Sequence, residues 1–334
     1  MKAVGYRQSL PINDPQSLLD VEVPKLVPGP RDLLIEIKAI AVNPVDTKVR
    51  LRAAPPAGEV KIIGWDAVGV VAGTGGEVRK FRAGDRVFYA GALARQGCNA
   101  EFQLVDERLV GHAPKSLSWA EAAALPLTSV TAWEILFDRL GLKPEDKGAL
   151  LVIGGAGGVG SILIQLARQR TGLTVIATAS RPETQEWCRS LGAHHVIDHS
   201  NPFRPQLEAL GFKYVDALAA LTNTDRHIET IADVIAPQGK FAVIDDPAVL
   251  DVMRFKTKCV SIHWELMFTR SSFQTPDMDA QGKILESVAA MVDDGRIRTT
   301  LGEHLGKIDA ANLKRAHALL ESGKAKGKLV LEGF

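Results

Sequence analysis

The chain has 334 residues, long for one hydrophobic core and suited to about two domains. Forty Lys and Arg stand against thirty-nine Asp and Glu, so no global charge bias points to nucleic acid or an anionic membrane as a partner. The three cysteines, Cys98, Cys188 and Cys259, form no C-x-x-C, and no run of about 18 apolar residues marks a membrane span.

The opening alternation Lys2, Val4, Tyr6 is not the charged end and apolar block of a leader, and the expectation is an unprocessed cytoplasmic protein with reduced thiols. Residues 1 to about 125 read as β-rich, with strand candidates at Leu33 to Val42, Ile62 to Ala72, Arg86 to Ala90 and Ala100 to Val105 between Pro and Gly punctuation. From Trp119 the pattern becomes helical at Ala120 to Ala124 and Val130 to Asp138. It then alternates: strand Leu150 to Ile153, helix Ser161 to Arg170, strand Thr174 to Thr178, helix Glu183 to Leu191. Further strands are expected at Val196 to Asp198, Ala217 to Ala220, Phe241 to Ile244 and Cys259 to Ile262, and such βα alternation predicts a doubly wound parallel sheet. Helices follow at Gln281 to Val292 and Ala310 to Ser322, with a last strand at Lys328 to Glu332.

Between the strand at 150–153 and the helix from Ser161, the run Gly154-Gly155-Ala156-Gly157-Gly158-Val159-Gly160 holds the spacing G-x-G-x-x-G at Gly155, Gly157 and Gly160. One glycine of such a loop makes the tight turn, one lets backbone approach a pyrophosphate, and one lets helix and strand pack closely. With strand before and helix after, the loop predicts dinucleotide binding, with Gly158 and Val159 presenting the helix N-terminus to the phosphates.

Gly64-Trp65-Asp66-Ala67-Val68-Gly69-Val70-Val71, Gly84-Asp85-Arg86-Val87, Ala100-Glu101-Phe102 and the glycine loop, in that order and at those separations, resemble the medium-chain dehydrogenase/reductase superfamily. The likeness covers nearly the whole chain and looks closest to the zinc-independent quinone oxidoreductase branch. That resemblance implies an α/β protein in which a Rossmann doubly wound sheet, residues 126–265, is inserted into a GroES-like β-barrel catalytic domain made of 1–125 and 266–334. It also implies hydride transfer from NADPH to quinones or activated enones. Zinc-dependent relatives bind their catalytic metal through Cys, His and Cys; the matching positions here are Asn43, Trp65 and Leu127, none a good zinc ligand, so no metal is expected. The structural zinc lobe of those relatives is matched only by Cys98 in the short 91–99 connection.

NAD-specific sheets place an acid at the end of the second strand, about 20 residues past the glycines. Here Thr178-Ala179-Ser180-Arg181 stands there, and a guanidinium with a hydroxyl suits the 2′-phosphate of NADP(H). Alternatively Arg181 is a solvated loop residue, and Glu183 completes a capping box with Ser180.

In the catalytic domain, Asn43-Pro44-Val45-Asp46-Thr47 matches the segment that faces the nicotinamide in relatives. The resemblance implies that Asn43 contacts substrate and that Asp46 shapes the segment, while an Asx turn after Pro44 is the purely structural reading of Asp46. Lys48 stands where related quinone reductases carry tyrosine, so the pocket is expected to be retuned. Tyr89 offers a phenol to a carbonyl oxygen or else closes a barrel edge. Thr128 and Thr131 either cap a helix or bond the nicotinamide end. His263 is a candidate proton donor, and Trp264 with Phe268 a candidate wall for a flat substrate, against the alternative of ordinary packing. The expected assembly is a homodimer through the edge strand of the Rossmann sheet. Competing functions are a zinc-type alcohol dehydrogenase, opposed by the missing Lewis acid, and a catalytically inactive NADPH-binding or RNA-associated protein, the RNA version opposed by the balanced charge.

Overall fold

The strand Asp32–Val42 organises the first unit: Leu33, Ile35 and Ile37 are buried on alternate positions, and from Ala39 to Val42 every residue is buried. Alternation buries one face, whereas an unbroken apolar end is covered on both. This computed structural model describes every residue from Met1 to Phe334. The chain divides into two units, Met1–Val130 with Phe268–Phe334, and Thr131–Met267.

In the first unit a seven-stranded, largely antiparallel sheet runs in the order Leu301–His304, Lys328–Glu332, Asp32–Val42, Ala67–Thr74, Arg86–Tyr89 and Val110–His112, with Phe102–Asp106 also paired to Asp32–Val42. The last strand pairs with the inner end of Asp32–Val42, Leu329 opposite Val42, so both ends of the chain build one body. A smaller sheet joins Leu19–Glu22, Lys2–Tyr6 and Lys61–Ile62. The strand expected over 62–72 is divided, because Gly64 takes φ +105° and turns the backbone before pairing resumes at Ala67.

The segment after Asn43 is a helix, Pro44–Arg52, where an Asx turn was the alternative. Proline at the first helical position loses no hydrogen bond there, and the Asn43 N–H donates to Asp46 Oδ2 at 2.7 Å. The expected helix at 130–138 is an α-helix over Pro126–Trp133 that continues as a π-helix over Glu134–Arg139.

The second unit holds six parallel strands, numbered in chain order β1 Ala149–Ile153, β2 Thr174–Thr178, β3 His195–Ile197, β4 Val215–Ala220, β5 Ile235–Val243 and β6 Ser261–Trp264. Their order across the sheet is β3-β2-β1-β4-β5-β6. Every residue of β1 is buried, as a central parallel strand requires, and the order reverses between β1 and β4, the point where open α/β sheets bind nucleotides. β6 lies at the edge, displaced toward the C-terminus from the expected 259–262 because Cys259 takes φ +49° and ends the 3₁₀ turn Val252–Lys258.

Candidate functional site

In the second unit β1 leads into Gly154, at φ +85°, and then into the helix Gly158–Arg170 with Gly157 as its N-cap. The Gly154 N–H donates to Thr178 Oγ1 at 3.1 Å and the Gly155 N–H to the Thr178 carbonyl at 3.2 Å, which binds the loop to the end of β2. The three glycines differ in what they allow. A Cβ on Gly160 would stand 2.4 Å from the Gly154 carbonyl oxygen, and one on Gly155 2.7 Å from Ala177 Cβ, so these two permit close packing. A Cβ on Gly157 would meet nothing nearer than 3.5 Å; its missing side chain keeps open the space before the helix N-terminus, which suits a pyrophosphate.

At the end of β2 the N-cap of helix Pro182–Ser190 is Arg181. The Ser180–Glu183 capping box is therefore replaced: Pro182 forces the residue before it into extended backbone, and Arg181 has φ −95° and ψ 143°. Glu183 instead pairs with the part-exposed guanidinium, Arg181 Nε to Oε1 at 2.6 Å. Ser180 is partly exposed beside it.

In the first unit the three positions 43, 65 and 127 gather around Asp66. Its Oδ2 accepts from Asn43 Nδ2 at 3.1 Å and from the Lys328 ammonium at 3.1 Å, and its Oδ1 accepts from the Leu127 N–H at 3.1 Å. Lys328 also donates to the Val42 carbonyl at 2.9 Å and to Asn43 Oδ1. Asn43, Asp66 and Lys328 are all buried. Three acceptors meet the three donors of the ammonium, and both ends of the Asn43 amide are engaged inside the protein. Asn43 therefore shapes the network more than it offers an open amide. Burial pushes Asp46 up to about 7, its Oδ1 having no hydrogen-bond partner, and burial raises Asp66 as well, against the pull of Lys328. Thr47, nearly buried, donates to the Pro44 carbonyl at 2.9 Å, and Thr128 to the Leu125 carbonyl at 3.2 Å, so both hydroxyls bond backbone three residues earlier. Thr131 is buried at the start of the second unit.

Tyr89 takes the packing alternative. It is buried, its hydroxyl donates to Gln103 Oε1 at 2.8 Å, and burial holds the phenol well above its ordinary range. Phe268 is equally buried, edge-on to Trp65 with ring centroids 6.3 Å apart, so it forms part of a core and not an open wall. Trp264, by contrast, is 55% exposed on β6. Burial, then the charges of Lys240 and Arg139, lower the His263 imidazole, whose Nε2 has no partner; it is neutral at pH 7 and poorly suited to give a proton. Sequence reasoning missed Lys328 altogether, and its signal was there: a lysine directly before the apolar run Leu329 to Leu331 near the end of the chain.

Zinc does not fit this donor set. Asn43 is consumed by Asp66 and Lys328, Trp65 donates Nε1 to the Ala92 carbonyl at 3.1 Å, and Leu127 has no ligating atom in its side chain. No group of three or more His, Cys, Asp or Glu side chains is arranged to hold a metal ion.

Comparison with known proteins places both units. Residues 29–133 match the alcohol dehydrogenase GroES-like domain and residues 191–331 the zinc-binding dehydrogenase family. A zinc-type alcohol dehydrogenase-like protein of Staphylococcus aureus is 38% identical over 339 residues, 99% of each chain. A crystal structure from Rhizobium etli, of a protein provisionally assigned as a zinc-dependent alcohol dehydrogenase, is 60% identical, with TM-score 0.96 over 100% of this chain and 98% of that one. The 2-methylene-furan-3-one reductase of Solanum lycopersicum is 30% identical over 307 residues, 90% of this chain and 71% of its own. With a GroES-like unit formed from both chain ends and a six-stranded parallel sheet set between them, this oxidoreductase belongs to the medium-chain dehydrogenase/reductase superfamily.

Proposed function

We propose that the chain is an NADPH-dependent, zinc-independent reductase of quinones or α,β-unsaturated carbonyl compounds. The observation that carries this reading is the donor set at 43, 65 and 127, where an amide locked by Asp66 and Lys328, an indole and an aliphatic side chain replace metal ligands. Without a Lewis acid a simple carbonyl loses several kcal/mol of charge stabilisation. A conjugated acceptor needs less, because the charge arriving with a hydride spreads to an oxygen several bonds away. The tomato relative, by its name, reduces such an enone, which supports the same choice.

A bound nicotinamide supplies the hydride. The chain supplies binding and orientation: the opening at Gly157 and the helix N-terminus suit the pyrophosphate, and Ser180 with Arg181 suits a 2′-phosphate where an acid would repel it. We further infer a homodimer through β6, whose edge carries exposed Trp264 and is followed by exposed Leu266. No helix is long and apolar enough to cross a membrane. A cytoplasmic location is part of the same proposal.

Following NADPH oxidation with a substituted quinone, a 2-alkenal and the matching saturated aldehyde tests the reading. The conjugated acceptors should exceed the saturated one at least about tenfold in kcat/KM, roughly 1.4 kcal/mol of transition-state binding. Activity should survive exhaustive chelation. Faster turnover of saturated aldehydes with one essential zinc per chain would return the alcohol dehydrogenase, and tight NADPH binding without any turnover would indicate an inactive binder.

A further inference from the structure

The chain passes between its two units twice, at Val130/Thr131 and at Met267/Phe268. Inside the second unit an ion network, its two carboxylates buried and its arginine side chain 31% exposed, joins the residues next to both crossings. Arg139 Nε lies 2.8 Å from Glu265 Oε2, and Arg139 Nη2 lies 3.7 Å from Glu134 Oε2. The two carboxylate side chains are 0% and 1% exposed.

Local structure explains how these groups meet. In the π-helix Glu134–Arg139 the Leu140 N–H donates to the Ile135 carbonyl, an i to i+5 closure that brings Glu134 and Arg139 to one side, where an α-helix would separate them. The Glu265 N–H extends the β6 pairing by donating to the Val243 carbonyl at 3.0 Å, and strand alternation then turns Glu265 inward between exposed Trp264 and Leu266. An acid facing in between two apolar residues facing out reverses the hydrophobic pattern. Desolvating two carboxylates adds little to stability, so the network is better explained by the geometry it imposes.

The far side of each crossing is also held, within the first unit: the Leu127 N–H on Asp66, and Phe268 against Trp65. We propose that Arg139 is a positioning residue which, by binding Glu134 and Glu265 together, fixes where both crossings leave the nucleotide-binding unit, and that hydride transfer depends on this placement. Its kinetic part rests on the reductase reading above.

The test uses full-length Glu265→Gln, Arg139→Lys and the charge-free Glu134→Gln/Arg139→Met/Glu265→Gln, which stays informative where Arg139→Met alone would strand two buried carboxylates. Hydrogen exchange, NADPH affinity and turnover of a 2-alkenal are measured on each. Expected for Glu265→Gln are exchange about tenfold faster at 126–133 and 264–270, unchanged exchange in β1 and the glycine loop, an NADPH Kd within about twofold of wild type, and kcat down about tenfold. Arg139→Lys should fall between. A lower melting temperature with unchanged exchange at both crossings and unchanged kcat would reduce the network to an ordinary ion pair of the second unit. If the wild type turns over no acceptor the reductase reading fails, while exchange at the crossings still decides the placement claim.

Discussion

The Lys328 ammonium stands 3.1 Å from Asp66 Oδ2 with both side chains sealed from solvent, tying the final strand to the segment that precedes Ala67–Thr74. Removing one member of such a pair strands the other charge, which costs about 3 to 5 kcal/mol, whereas removing both is far milder. Lys328→Met should therefore lower unfolding free energy by that amount and Asp66→Asn/Lys328→Met by clearly less. Urea unfolding monitored by tryptophan fluorescence checks it, and equal losses in the two variants would show that the pair contributes no special coupling.

The glycine loop yields a contrast between two alanines. Gly160→Ala forces a Cβ to 2.4 Å from a backbone oxygen that cannot yield, and should cost about 1 to 3 kcal/mol of stability. Gly157→Ala has ordinary contacts and φ −74°, so it should melt like the wild type yet bind NADPH and NADH at least about tenfold more weakly by filling the pyrophosphate's space. Wild-type affinity in Gly157→Ala would place the pyrophosphate elsewhere.

Arg181 bears on cofactor choice. Arg181→Ala should weaken NADPH by about 1.5 to 3 kcal/mol, the worth of a charge-assisted hydrogen bond, and leave NADH nearly unchanged. Because Glu183 holds the same guanidinium at 2.6 Å, Glu183→Gln should strengthen NADPH binding modestly. Equal losses of both cofactors on Arg181→Ala, measured by calorimetry, would remove Arg181 from the 2′-phosphate.

His317 sets an acid limit. It is buried, accepts from Arg50 Nε at 3.4 Å through Nδ1, and is held down to about 3 by burial and then by the Arg50 charge. The unfolded chain takes up its proton near 6.5. Stability from this group is thus complete above that pH and falls as pH drops toward 3, by at most about 1.4 kcal/mol per pH unit. His317→Gln, which can still accept from Arg50, should show a shallower loss between pH 6.5 and 3 in thermal melts. A parallel acid limb in wild type and variant would exclude His317 as its source.

Assembly can be read from the β6 edge. Sedimentation at micromolar concentration should give twice the mass of one 36.0 kDa chain, and Trp264→Glu/Leu266→Lys should shift it toward monomer by placing charge on an exposed apolar edge. A wild-type monomer would refute the arrangement.

The parallel sheet was legible because its central strands β1, β2 and β4 are almost wholly buried and read as apolar runs, as Leu150 to Ile153 does, and because glycine spacing encodes a backbone requirement that no distant residue can alter. The helix Pro44–Arg52 was hidden: a lone Asn-Pro reads equally as a turn, and only packing selects the helix. Helix Phe203–Ala209 escaped because seven residues with Pro205 among them carry little periodic signal, whereas Thr224–Val234 does carry one, in Ile228, Ile231 and Val234 at helical spacing.

For the site, the sequence by itself determined which side chains stand at positions 43, 65 and 127 and where glycines let the backbone pack closely, since both follow from residue type and local spacing. The tertiary structure alone decided what the remaining polar groups do. Lys328 is 285 residues from Asn43, and Glu265 is 126 from Arg139, separations at which no spacing rule operates. Whether Tyr89 faces a ligand or Gln103, and whether Asn43 is open or enclosed, depends on which distant donor or acceptor the fold carries to within 3 Å, because a buried polar atom must be satisfied by whatever is nearest in space.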